Sequence, residues 1–238
     1  YYDDERALAL DFAAAINEEA REIDALGPAV IQFDEPVFSR YPERVAEWGI
    51  EALDRCLEGL AATTAVHVCY SYPMPGVARP IQDSYPVILK ELERSKIDQL
   101  ALEFEASRLD PALLRLCPSK TILFGCIDNG IEEPETPEHV ASKLLAAADG
   151  HPYEALIVLA IHTGMRWGEL AGLSWGDVDF DSDMIYVRRS QAEFYDPNLP
   201  MGQRTRLILD VPKTPGSRRG IRMATRCSAI LRRHRPSL

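Results

Sequence analysis

Ala65-Val66-His67-Val68-Cys69 is a short apolar run that carries two metal-capable side chains, and its flanks decide the fold. Upstream, Val45 to Leu60 places apolar residues at helical spacing. The same helix-then-run succession occurs three more times. Asp3 to Asp24, stopped by Gly27-Pro28, leads to Ala29-Val30-Ile31-Gln32-Phe33. Tyr85 to Arg94 leads to Gln99-Leu100-Ala101-Leu102-Glu103, and Pro111 to Leu116 leads to Thr121-Ile122-Leu123-Phe124-Gly125. Polar residues collect at the C-terminal ends of the runs. Alternating helices and buried strands predict an α/β fold, a parallel sheet or barrel whose site lies at that face.

From Pro152 the texture changes. Tyr153 to Ala171 reads as helix interrupted at Thr163-Gly164, and Met184 to Val187 and Arg206 to Val211 read as strands. Gly220 to Met223 is a candidate pairing partner for both, and Thr225 to Arg235 is a basic helix. The charge changes at the same place. Residues 1–149 carry a net −15 and residues 150–238 a net +4, within an overall −11. From Arg204 onward ten basic residues face one acid, Asp210, which suggests a polyanionic partner for this end or simply clustered helix ends and solvated faces. The switch falls in residues 142–151.

His67 and Cys69, two apart on a strand, face the same way. Glu103 and Glu105 form a similar pair at the end of the next run. Imidazole, thiolate and carboxylate converging on adjacent strand ends form a zinc site with an open position. The competing readings are a buried structural cysteine and a solvated strand end, or an ion pair of the glutamates with Arg108.

Beyond these pairs, an ordered series resembles the catalytic barrel of cobalamin-independent methionine synthase and its shorter, archaeal-like relatives. It runs through Ile31-Gln32-Phe33-Asp34-Glu35-Pro36, Glu47-Trp48-Gly49-Ile50-Glu51-Ala52 and His67-Val68-Cys69-Tyr70-Ser71. It continues through Leu102-Glu103-Phe104-Glu105-Ala106-Ser107-Arg108 to Gly125-Cys126-Ile127-Asp128. The resemblance covers residues 1–148 and implies a partial TIM-type (β/α) barrel. It implies zinc held by His67, Cys69 and Glu103, with Glu105 as the alternative carboxylate, and Asp34 holding the amino group of a thiol amino acid such as homocysteine. A methyl donor completes the implied chemistry. Three features depart from the family pattern. The segment bearing a fourth, cysteine ligand is absent near residues 141–148. Arg40 stands where the family has an acidic residue involved with folate, and Gly130 stands where the long enzymes have a histidine. The last two departures point to a shorter, archaeal-like relative with a donor other than methyl-folate. About four of a barrel's eight strands are present, which predicts open sheet edges and a partner or oligomer that covers them.

Leu159-Ala160-Ile161-His162-Thr163-Gly164-Met165-Arg166-Trp167-Gly168-Glu169-Leu170, continuing through Leu173-Ser174-Trp175-Gly176-Asp177-Val178-Asp179-Phe180, resembles the first conserved box of phage-integrase-type tyrosine recombinases. That resemblance implies a smaller α+β fragment at residues 152–238. In it, Arg166 contacts a scissile phosphate, Glu169 buttresses that arginine, and Lys213 acts as general acid on a hairpin near DNA. A guanidinium suits the role because it binds two phosphate oxygens at once. The nucleophilic tyrosine and the His-x-x-Arg box have no counterpart. Tyr186 and Tyr195 precede Lys213, and His234-Arg235 follows it too closely.

Three functions follow as expectations: zinc-dependent methyl transfer to a thiol, a DNA integration or recombination protein without its nucleophile, or an inactive join of two gene fragments. The odd, scattered cysteines (Cys56, Cys69, Cys117, Cys126, Cys227) predict reduced thiols and a cytoplasmic setting. No stretch approaches the roughly 20 apolar residues that span a bilayer. The start at Tyr1-Tyr2, without Met, predicts a fragment or a processed chain.

Overall fold

The computed structural model describes residues 2–69, 84–128, 130–195, 205–210 and 218–235. The chain divides into two compact units, residues 1–147 and 148–238.

The first unit is built around a four-stranded parallel sheet in the order β1 (Val30–Glu35), β2 (Thr63–Val68), β3 (Gln99–Glu103), β4 (Thr121–Gly125). Helix α1 (Glu5–Asp24) precedes β1, with the Asp4 carboxylate capping it by accepting the Ala7 N–H. The helix ends on Asp24, whose carboxylate accepts the N–H groups of Ala61 and Ala62 and so fixes the approach to β2. Between β1 and β2 the chain forms α2 (Pro42–Arg44), a π turn (Val45–Gly49) and α3 (Ile50–Cys56) without interruption. Pro42 stands in the first turn, where its missing N–H costs nothing. Helix α4 (Tyr85–Arg94) buries Tyr85, Ile88, Leu89 and Leu92, one stripe at helical spacing.

Register assigns the faces. Phe33, Val66, Leu100 and Ile122 lie side by side, as do Glu35, Val68, Leu102 and Phe124. The apolar members of these rows form one cluster with Val45, Leu53 and Leu57 and with the α4 stripe. Each fully buried aliphatic side chain there contributes about 1.5–3 kcal/mol. Tyr85 satisfies its buried hydroxyl by donating to the Val68 carbonyl. The opposite face carries Gln32-Ala65-Gln99-Thr121 and Asp34-His67-Ala101-Leu123. The fourth helix expected from sequence, residues 111–116, is instead a 3-10 turn begun by Asp110, whose side chain accepts the Ala112 N–H. Helix α5 (Pro137–Ala147) ends the unit. The strands form an open run of four, and β1 and β4 are its edges.

The second unit opens with α6 (Glu154–Thr163), ended by Gly164 at φ +60°, and α7 (Trp167–Ala171). A three-stranded antiparallel sheet follows, in the order β5 (Val178–Asp179), β6 (Met184–Val187), β9 (Arg219–Arg222). Between them, β7 (Ser190–Tyr195) and β8 (Thr205–Asp210) pair as a separate two-stranded ribbon. Strand β9 (Arg219–Arg222) and helix α8 (Thr225–His234) close the unit. The sequence reading expected residues 184–187, 206–211 and 220–223 to pair together. The structure bears this out for 184–187, which pairs with β9, and corrects it for 206–211, because β8 pairs with β7, a strand the sequence reading did not assign. Among the described residues no helix is long and apolar enough to cross a membrane.

Candidate functional site

At the C-terminal ends of β1, β2 and β3 the structure brings three of the four polar residues marked in the first unit together. Asp34 and His67 are direct register partners, and the Asp34 carboxylate lies 3.4 Å from His67 Nδ1. On the other side of the ring, Glu103 Oε1 lies 3.8 Å from His67 Nε2. The imidazole thus stands between two carboxylates. Gln32 Nε2 donates to the same carboxylate oxygen, Asp34 Oδ1, at 3.0 Å. Asp34 is the most exposed of the three, at 73% of its side chain, and His67 is 32% exposed.

Cys69 lies one residue beyond β2, half-buried, and its carbonyl accepts a hydrogen bond from Ser39 Oγ at 2.6 Å. Among the described residues, no three His, Cys, Asp or Glu side chains stand close enough together to hold a metal ion. All five cysteines are thiols.

The two glutamates after β3 part company. Glu105 turns to α5, where it meets His139 Nε2 at 2.8 Å and Lys143 Nζ at 3.1 Å. Burial pushes the Glu105 carboxyl up, but hydrogen bonds from His139 and Lys143 outweigh it and hold the group below its ordinary value. Arg108, the ion-pair partner of the competing reading, takes no part in these pairs and sits at φ +51°. The clamp on α5 was not anticipated, since residues 34 and 38 positions apart in sequence gave no local signal.

Gly125 explains how Glu103 comes to its place. A β carbon on Gly125 would stand 2.7 Å from the Leu102 carbonyl oxygen and 3.1 Å from Glu103 Cα. Only glycine lets β4 approach here, and the Gly125 carbonyl then accepts the N–H groups of Phe104 and Glu105. Beside the site, Glu35 accepts the N–H groups of Val37 and Phe38, and burial raises its pKa. Its carboxyl lines a groove of about 650 Å³ with Phe12, Phe38, Tyr41, Val45 and Trp48.

In the second unit, Arg166 is exposed at the start of α7. Its backbone N–H donates to Glu169 Oε2 at 2.9 Å. The Glu169 carboxylate is only 3% exposed and receives both guanidinium nitrogens of Arg219 at 2.9 Å each. That pair holds Glu169 below its ordinary pKa and raises Arg219. Arg219 was missed as a site residue. Its only sequence signal was the basic run to which it belongs. Asp177 is clamped by Arg188 and Arg189, with Ser174 Oγ donating to the same carboxylate. Tyr186, Arg188, Arg218 and Arg219 line a hollow of about 530 Å³, with the Arg188 guanidinium 5.1 Å from the centre of the Tyr186 ring. Lys213 lies outside the described residues.

Comparisons with known proteins fall along the same division. The model of the family described as cobalamin-independent synthase, catalytic domain, matches residues 3–165. The phage integrase family model matches residues 135–209, so the C-terminal part is similar to that family. A methionine synthase of Sulfurisphaera tokodaii is 30% identical over 149 residues, covering 63% of this chain and 40% of the relative. One from Sulfolobus acidocaldarius is 30% identical over 144 residues, covering 60% and 39%. The structure of a B12-independent methionine synthase from Shewanella sp. W3-18-1, in complex with selenomethionine, matches at 36% identity and a TM-score of 0.58. That match covers 65% of this chain and 47% of the other. The chain therefore spans about 40% of the length of the curated relatives it matches.

Proposed function

Because the chain belongs to the cobalamin-independent synthase catalytic-domain family, we propose that its first unit is the zinc-and-thiol part of a methyltransferase site of methionine biosynthesis. The observation that carries this reading is His67 held between Asp34 and Glu103 at the ends of adjacent parallel strands. His67, Cys69 and Glu103 supply nitrogen, sulfur and oxygen donors, a set suited to zinc with one position left open. Bound there, zinc would hold a substrate sulfur as the thiolate, the form that attacks a methyl group.

The chain's own residues do the rest. Asp34 beside Nδ1 orients the imidazole so that Nε2 faces Glu103, the arrangement by which a carboxylate fixes a ligating histidine. With most of its carboxylate open to solvent, Asp34 also offers a charge for the amino group of a thiol amino acid. Ion binding calls for movement of Cys69 or Glu103, since the three donors are not gathered beforehand. Glu105, engaged by His139 and Lys143, serves to hold α5 rather than the ion.

Zinc content after dialysis tests the reading. The wild-type chain is expected to retain zinc, with Cys69→Ser and Glu103→Gln losing affinity by about tenfold or more and Glu105→Gln keeping it. Equal zinc content in all four proteins would refute the assignment.

A second reading applies to the other unit, and the arginine-lined hollow at Arg188 and Arg218 favours it. There the chain binds a DNA backbone through exposed Arg166 and Arg218. Retention on DNA at low salt that weakens in Arg166→Ala and Arg218→Ala is the expected result. No retention at low salt rejects it.

A further inference from the structure

We propose that the groove lined by α1 and the π turn of the first unit binds a small organic ammonium ion that carries an aromatic or branched apolar body. The groove has a volume of about 650 Å³, within the roughly 300–1,000 Å³ of small-molecule sites. Phe12 on α1, Phe38 and Tyr41 after β1, and Trp48 in the π turn all line it. Aromatic side chains gathered at one groove attract a cation through the negative faces of their rings. Gly49 helps to set this wall. A β carbon there would stand 3.3 Å from the Phe38 ring and 3.3 Å from the Arg44 carbonyl oxygen, so any side chain would crowd the ring.

The charges at the groove match the same ligand. Among the described residues its lining holds three carboxylates, Glu5, Glu35 and Glu43, against one cation, Arg44. Arg44 is already engaged, 3.0 Å from Glu5 and 3.4 Å from Glu47. Glu35 ends β1 with one oxygen, Oε2, accepting the N–H groups of both Val37 and Phe38. Those two bonds fix the carboxylate, and among the described residues Oε1 has no protein donor. Burial works against the ionised form of Glu35 and raises its pKa, so an incoming cation supplies a counter-charge that the protein does not. An anion would instead meet a surplus of carboxylates. The net −15 of residues 1–149 draws cations to this unit in the same sense.

Alternation along β1 places the Glu35 side chain on the opposite face from Asp34, so the groove is separate from the Asp34-His67-Glu103 group. The ligand's nitrogen is held at Glu35 Oε1, where an N–H donor completes a charge-assisted hydrogen bond. Its apolar body lies among Phe12, Phe38 and Trp48. The inference goes beyond zinc binding and methyl transfer and does not depend on them.

Isothermal titration of the full chain with phenethylammonium tests it, with a chelator present so that metal plays no part in the readout. The wild type is expected to bind with a dissociation constant of about 1 mM or below. Phenethyl alcohol, the same body without the charge, and phenylacetate, with the opposite charge, are each expected to bind at least about tenfold more weakly. Glu35→Gln keeps an oxygen for the Val37 and Phe38 N–H groups and is expected to weaken the ammonium by about tenfold. Phe12 is 61% exposed and so outside the core, and Phe12→Ala is expected to weaken binding about threefold or more with circular dichroism unchanged. Phe12→Ala and the ligand series decide the matter if Glu35→Gln does not fold. No binding by the wild type, or equal binding of phenethyl alcohol or phenylacetate, overturns the proposal. Binding that survives Glu35→Gln and Phe12→Ala but is lost in Asp34→Asn places the ammonium beside His67 and also overturns it.

Discussion

Glu169 and Arg219 form the clearest single interaction in the second unit, with a carboxylate 3% exposed meeting a guanidinium through two parallel contacts. Arg219→Ala would strand that carboxylate without its counter-charge and is expected to cost about 3 kcal/mol, read by urea denaturation of the full chain. The pH dependence follows from the depressed pKa of Glu169, whose ordinary value is 4.5. A carboxyl depressed on folding adds stability that is complete above its unfolded value and is lost as pH falls through the folded one. Acid sensitivity below about pH 4.5 is therefore expected to shrink in Arg219→Ala. The thiols offer a second check at this scale. Burial pushes Cys117 up to about 11 and also raises Cys56 and Cys227. Native alkylation at neutral pH is expected to modify the half-buried Cys69 and Cys126 well before these three, as peptide mapping would show. His67 and Asp34 were legible from sequence because alternation fixes which strand residues share a face. Arg219 was not, because nothing local in Arg218-Arg219-Gly220 says which arginine reaches a glutamate 50 positions earlier.

Among the elements, the four parallel strands emerged where short apolar runs follow amphipathic stretches, and α4 fell on Tyr85–Arg94 as its stripe predicts. Two features resisted. The run Pro111 to Leu116 has helical spacing, yet it forms a 3-10 turn begun by Asp110. The β7 strand, Ser190–Tyr195, was overlooked because its alternation rests on Ala192 and Phe194 alone, and pairing with β8 defines it. Gly125 matters at this scale, since it permits the close β3–β4 approach beneath Glu103. Gly125→Ala is expected to destabilise the unit by about 1–3 kcal/mol and to weaken zinc retention with it, as measured by denaturation and metal content.

At the scale of the whole molecule, composition and structure divide the chain at nearly the same point. The charge balance turns from acidic to basic around residue 150, and the compact units part at residues 147 and 148. The two family matches overlap across residues 135–165, which contain that boundary. The central claim concerns metal and thiol at the ends of β1, β2 and β3, and cobalt(II) substitution tests it most directly. Loaded with cobalt, the wild-type chain is expected to show a thiolate charge-transfer band that strengthens when homocysteine is added, and Cys69→Ser to lose the band present before addition. A chain that takes up no cobalt, or a band indifferent to both homocysteine and Cys69→Ser, would contradict the assignment.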